Sequence, residues 1–157
     1  MLKLSERFLF WLVKDRPPDF LIDRRGEKYL HRWWLIKRNP YFNIYLHRFL
    51  GDDIDEAIHS HPWLSLSLIL SGGYYEITEG PDLTIQRRWY NPGRLIYRWC
   101  SYAHRIELGR DCLGKIPCVT LFITGPKVRD WGFKCKKGYI PWWEFLGKDG
   151  KEGKGCD

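Results

Sequence analysis

The chain has 157 residues, of which 44% are hydrophobic, 29% charged and 17% aromatic. That length and balance suit one globular domain with a single core, and they exclude wholesale disorder and a coiled coil. A formal charge of +7, from 26 Lys and Arg against 19 Asp and Glu, favours acidic partners without singling out nucleic acid.

In chain order, the first expected element is a helix. Leu4, Phe8, Trp11 and Leu12 recur at helical spacing and Pro17-Pro18 ends the segment, so residues 1–18 read as a helical arm with the helix over 4–14. Its apolar run, Phe8 to Val13, is far shorter than the roughly 20 residues of a membrane span. Lys14-Asp15-Arg16 follows where a signal peptide would carry small residues. Neither a membrane segment nor a secretory leader is therefore expected. Cys100, Cys112, Cys118, Cys135 and Cys156 contain no C-x-x-C pair and read as reduced thiols, in keeping with a cytoplasmic protein.

From residue 19 to 146 short alternating runs are punctuated by turn residues. Strands are expected over 29–37, 41–50, 57–70, 73–79, 83–90, 94–99, 103–108 and 116–124, separated by turns such as Gly72-Gly73, Glu79-Gly80-Pro81-Asp82 and Asn91-Pro92-Gly93. Many short strands at this spacing predict an all-β antiparallel sandwich or barrel. The tail over 147–157, rich in Gly and Lys and without an apolar anchor from Lys148 to Gly155, is expected to be disordered.

The chemistry begins at His59-Ser60-His61. In a strand, residues i and i+2 share a face, so the two imidazoles stand side by side as a metal requires. A second segment runs from Asn91-Pro92-Gly93 through an apolar strand and a turn to His104. Together these resemble the two motifs of the cupin superfamily: His59, His61 and Gly72 match the first, and Pro92, Gly93 and His104 the second. The wider pattern, including His61-Pro62-Trp63, Trp131-Gly132-Phe133 and Trp142-Trp143-Glu144-Phe145, resembles a set of small uncharacterised cupin-like proteins of bacteria and phages. The resemblance implies a jelly-roll barrel and a divalent metal on His59, His61 and His104, with Fe(II) first and Zn, Mn or Ni as alternatives.

One position departs from that pattern: Ser65 stands where the carboxylate after H-x-H usually falls. A site of three neutral imidazoles resembles that of the thiol dioxygenases, and His61 argues against a 2-oxoglutarate oxygenase, which needs an acid there. Glu76 on the next strand is an alternative fourth ligand. Arg48 alternates with Ile44 and Leu46 and is the expected clamp for a small anionic substrate, Arg98 raises the same question beside His104, and Lys127 and Arg129 read first as a solvated loop and second as guards of the mouth. Leu64, Leu66, Leu68 and Leu70 share the parity opposite to His59, His61, Ser65 and Ser67; without a bulge at Pro62 they need cover from the N-terminal helix or from a second copy in a homodimer. Two functions follow: a three-histidine Fe(II)-dependent oxygenase acting on a small anion, or a non-catalytic binding module for a nucleotide, sugar, nucleic acid or host protein.

Overall fold

A computed structural model describes residues 11–13, 16–24, 27–53, 57–82, 84–147 and 153–156. Fourteen strands occur among them: β1 (Phe20–Arg24), β2 (Glu27–Trp34), β3 (Asn43–Phe49), β4 (Ile58–His59), β5 (Ser65–Ser71), β6 (Tyr74–Glu79), β7 (Ile85–Tyr90), β8 (Leu95–Arg98), β9 (Arg105–Leu108), β10 (Arg110–Asp111), β11 (Gly114–Lys115), β12 (Cys118–Thr124), β13 (Gly132–Cys135) and β14 (Gly138–Pro141). A single helical turn, Trp142–Phe145, follows. Every strand pairing is antiparallel, as the turn-rich alternation predicts. β1, β13, β14 and the β10–β11 hairpin are additions to the sequence-based reading.

One six-stranded sheet runs β1-β2-β3-β12-β5-β8. Opposite it lie two three-stranded sheets, β14-β13-β4 and β7-β6-β9, joined by one bridge between His59 and His104. This is a jelly roll. Its core packs Leu30 and Phe49 from the large sheet against Tyr74, Ile106 and Leu108 from the facing one.

The strand expected over 57–70 breaks in two. Residues 60–64 carry no strand, because Pro62 has no N–H to give a ladder and its carbonyl instead accepts from Val128 and Arg129. The chain passes here from the small sheet to the large one. Beyond it Ser65, Ser67 and Ile69 are buried toward the interior, while Leu66, Leu68 and Leu70 lie on the outer face. That face is partly covered: Val13, in the helical residues 11–13, packs with Trp33, Leu46 and Val119, with Leu70 at the edge. The rest of the expected N-terminal helix lies outside the described residues.

Two expectations are corrected at the other end. Cys135 and Cys156 form a disulfide across 21 residues rather than standing as free thiols. The described part of the tail, 153–156, is fixed by it and by backbone bonds from Lys154 and Gly155 to the carbonyls of Glu144 and Phe145. Spacing within the sequence could not reveal a pair that only this return of the chain brings together. Cys135→Ser is expected to cost about 2–4 kcal/mol in oxidising buffer, read by urea unfolding. A reductant should remove the difference between the two proteins. No helix among the described residues is long and apolar enough to cross a membrane.

Candidate metal centre

β4 supplies His59, the link after it His61, and the residue before β9 His104. His59 and His104 face each other in a closed backbone pair, each amide donating to the other's carbonyl at 2.9 and 3.0 Å. Directly opposed residues of an antiparallel pair share a face, so both rings point the same way. His61 joins them from the irregular link, where it escapes the strict alternation of a ladder. The ring nitrogens of the three lie within 4.8 Å of one another. Nε2 of His61 and Nε2 of His104 are 3.0 Å apart, a separation close to that of cis ligands on one ion at metal–nitrogen lengths of about 2.1 Å.

Glu76 is not a fourth member of this group. Its carboxylate lies behind His104, with Oε1 2.6 Å from Nδ1. Nδ1–H donating there fixes the tautomer and turns the Nε2 lone pair toward the other rings. Glu76 in turn accepts from Nε of Arg98 at 2.6 Å and from the Tyr102 hydroxyl at 3.0 Å. Arg98 comes from β8 on the opposite sheet and also donates to the Tyr74 hydroxyl at 2.8 Å and to Ser67 Oγ at 3.3 Å. Glu76 and Arg98 are only 2% and 3% exposed, so a buried ion pair ties the two sheets together directly behind the histidine cluster.

The electrostatics favour neutral imidazoles. Burial holds His104 down at about 4, with the Arg98 charge adding to it and the Glu76 hydrogen bond opposing it. His61 is held well below the ordinary histidine range by burial first, then by His104, His59, Arg98 and Arg32. For Glu76, burial alone would raise the carboxyl, but the His104 hydrogen bond and the Arg98 charge outweigh it and bring it to about 2. At neutral pH the arrangement is thus one buried anion, one buried cation and, at His61 and His104, uncharged nitrogen donors, which is the state a metal ligand needs.

The cluster opens into a cavity between the sheets, walled near it by Trp63, Trp131 and Ala103, with Arg129 and Tyr139 also on its lining. Arg48 is not on that lining. β3 buries both faces, and the interior one carries Tyr45, His47 and Phe49; Arg48 shares the outer face with Leu46, which packs under Val13. The cations that do line the cavity are Arg32, Arg98, Arg129, Lys134, Lys136 and Lys137, of which Lys134 pairs with Glu79, whereas Lys127 pairs with Asp130 on the surface. Ser65 is fully buried with no partner for its hydroxyl among the described residues, and lies outside the nitrogen cluster. Cys100 is a buried free thiol, also outside it. Arg32, His47 and Thr120 escaped the sequence-based reading because only strand register sets them side by side.

No family model and no curated protein matches the chain in sequence. Solved structures do match in shape. A chain described as Fe(II) HppE in complex with substrate superposes with a TM-score of 0.54 at 14% identity, over 70% of this chain and 57% of that one. The polyketide cyclase RemF from Streptomyces resistomycificus gives 0.50 at 17% identity, over 69% and 72%. A cupin superfamily protein from Desulfitobacterium hafniense gives 0.47 at 20%, over 67% and 84%. The chain thus spans little more than half the length of HppE. The matches at 0.50 and 0.54 show a shared fold, and in this chain that fold is a jelly roll in which the H-x-H segment and His104 meet.

Proposed function

We propose that the chain is a metal-dependent cupin enzyme in which His59, His61 and His104 hold a divalent ion, Fe(II) first, and that it oxidises a small anionic substrate. The observation that carries this reading is the convergence of three imidazoles, one of them backed by a buried carboxylate, at the wall of a cavity. Such an ion, bound by three neutral ligands, supplies Lewis acidity and open positions for substrate and for dioxygen or water. The remaining work belongs to side chains. Glu76 orients His104, Arg98 neutralises Glu76, and the aromatic walls of Trp63, Trp131 and Phe122 limit water around bound substrate. An Fe(II)-containing HppE of similar fold supports iron as the first metal to test.

The test is metal analysis of protein prepared without a histidine tag, with anaerobic titration of Fe(II), Zn(II), Mn(II) and Ni(II). One equivalent should bind to the native protein and none to His104→Ala. A native protein that takes up no metal, or a His104→Ala variant that binds as tightly, overturns the reading.

A further inference from the structure

Across the large sheet, register places Arg32 of β2 opposite His47 of β3, and His47 opposite Thr120 of β12, in one row on the interior face. All three line the cavity that the metal-site histidines line. Nε of Arg32 donates to Nε2 of His47 at 2.8 Å. That bond fixes the guanidinium by one edge and leaves its two Nη groups without a side-chain hydrogen bond among the described residues. No carboxylate there lies within ion-pair distance of Arg32 either, in contrast to Arg98, whose charge Glu76 cancels. Next in the row, Thr120 is 1% exposed and its hydroxyl has no partner among the described residues. A half-buried cation without a counter-ion and a buried hydroxyl without a hydrogen bond are each costly unless something completes them. The wall beside them is aromatic: the His47 ring stacks on Phe122 at 4.9 Å and on Tyr45 at 5.8 Å, and the guanidinium lies 5.0 Å over Tyr45.

We infer that Arg32 and Thr120 form an oxyanion subsite that holds the acid group of the substrate while its other end faces His59, His61 and His104. The ligand class is a small acid, carboxylate or phosphonate, with a flat or apolar body against Phe122 and His47. A guanidinium fixed at Nε presents its Nη edge as a fork to two oxygens, and the threonine hydroxyl adds a third donor. His47 is the positioning residue, since its acceptor nitrogen sets the angle of that fork. This deepens the metalloenzyme reading and rests on it for the second end of the substrate.

Benzoate, phenylphosphonate and the neutral isostere benzamide serve as probes, titrated by calorimetry and by NMR shifts into metal-loaded and chelator-treated protein. Benzoate or phenylphosphonate should bind and benzamide should not; the tighter of the two acids identifies the acid group. Arg32→Met should weaken binding about 10- to 100-fold and Thr120→Val about 3- to 10-fold. Arg32→Lys, which keeps the charge and loses the fork, should fall between them and guards against misfolding of the methionine variant. Metal stoichiometry should stay at one in all three. Failure of both acids to bind, or binding that Arg32→Lys and Thr120→Val leave unchanged, overturns the subsite. If the acids bind in this pattern but no metal is taken up, the metalloenzyme reading fails and the subsite stands.

Discussion

Replacing Glu76 with Gln is expected to destabilise the protein by about 3–5 kcal/mol, because it leaves Arg98 charged and buried without its anion. The same ion pair also sets the sign of the expected pH dependence. Glu76 is held at about 2 in the fold against an ordinary 4.5, so its contribution is fully present above about pH 4.5 and is lost as pH falls toward 2. At 1.36 kcal/mol per unit this amounts to about 3 kcal/mol. Urea unfolding at several values between pH 2 and 6 should show the native protein losing that stability on acidification and Glu76→Gln running flatter. Metal affinity in the variant should drop about 10- to 100-fold, since His104 loses the anion that fixes its tautomer. A variant within about 1 kcal/mol of the native protein, with the same acid slope, would contradict the assigned role.

Gly72→Ala is the second large effect. Gly72 follows β5 at φ +74°, and a Cβ there would overlap the Pro117 carbonyl oxygen and lie 2.9 Å from Cys118 Cα. Those are backbone atoms leading into the strand that carries Thr120, so they cannot turn aside as a side chain would. The loss should exceed about 3 kcal/mol, or about 6–12 °C in Tm for a chain of this size. Gly93→Ala provides the contrast, for its φ of +86° is equally unusual but nothing lies within 4 Å of the added carbon. There only the conformational cost of about 1–2 kcal/mol applies. Equal losses in the two variants would show that packing against Pro117 is not what reserves position 72 for glycine.

The barrel and the histidine cluster were legible because both rest on local signals. Gly and Pro mark the turns, alternation marks the strands, and His59, His61 and His104 sit beside turns that punctuate the pattern. Arg48 was misplaced for a specific reason. β3 is buried on both faces, with Leu46 2% and His47 3% exposed, so alternation shows that two faces exist without saying which one is the interior. The covering helix decided that, and it packs on the outer side through Val13. Arg32 and Thr120 are 88 positions apart in the chain, yet β3 between their strands sets them in one row on either side of His47, and no local pattern encodes that order. Glu76 was noticed as a carboxylate in the right region, but its place behind His104 depends on Arg98 arriving from the other sheet.

The backbone pair between His59 and His104 has a further consequence. It is the sole ladder step joining the two halves of the small-sheet layer among the described residues. The amide hydrogens of those two residues can exchange with solvent only when that step opens, and the same opening separates the two rings. Hydrogen exchange at those two backbone amides therefore reads how readily the seam beside the nitrogen cluster opens.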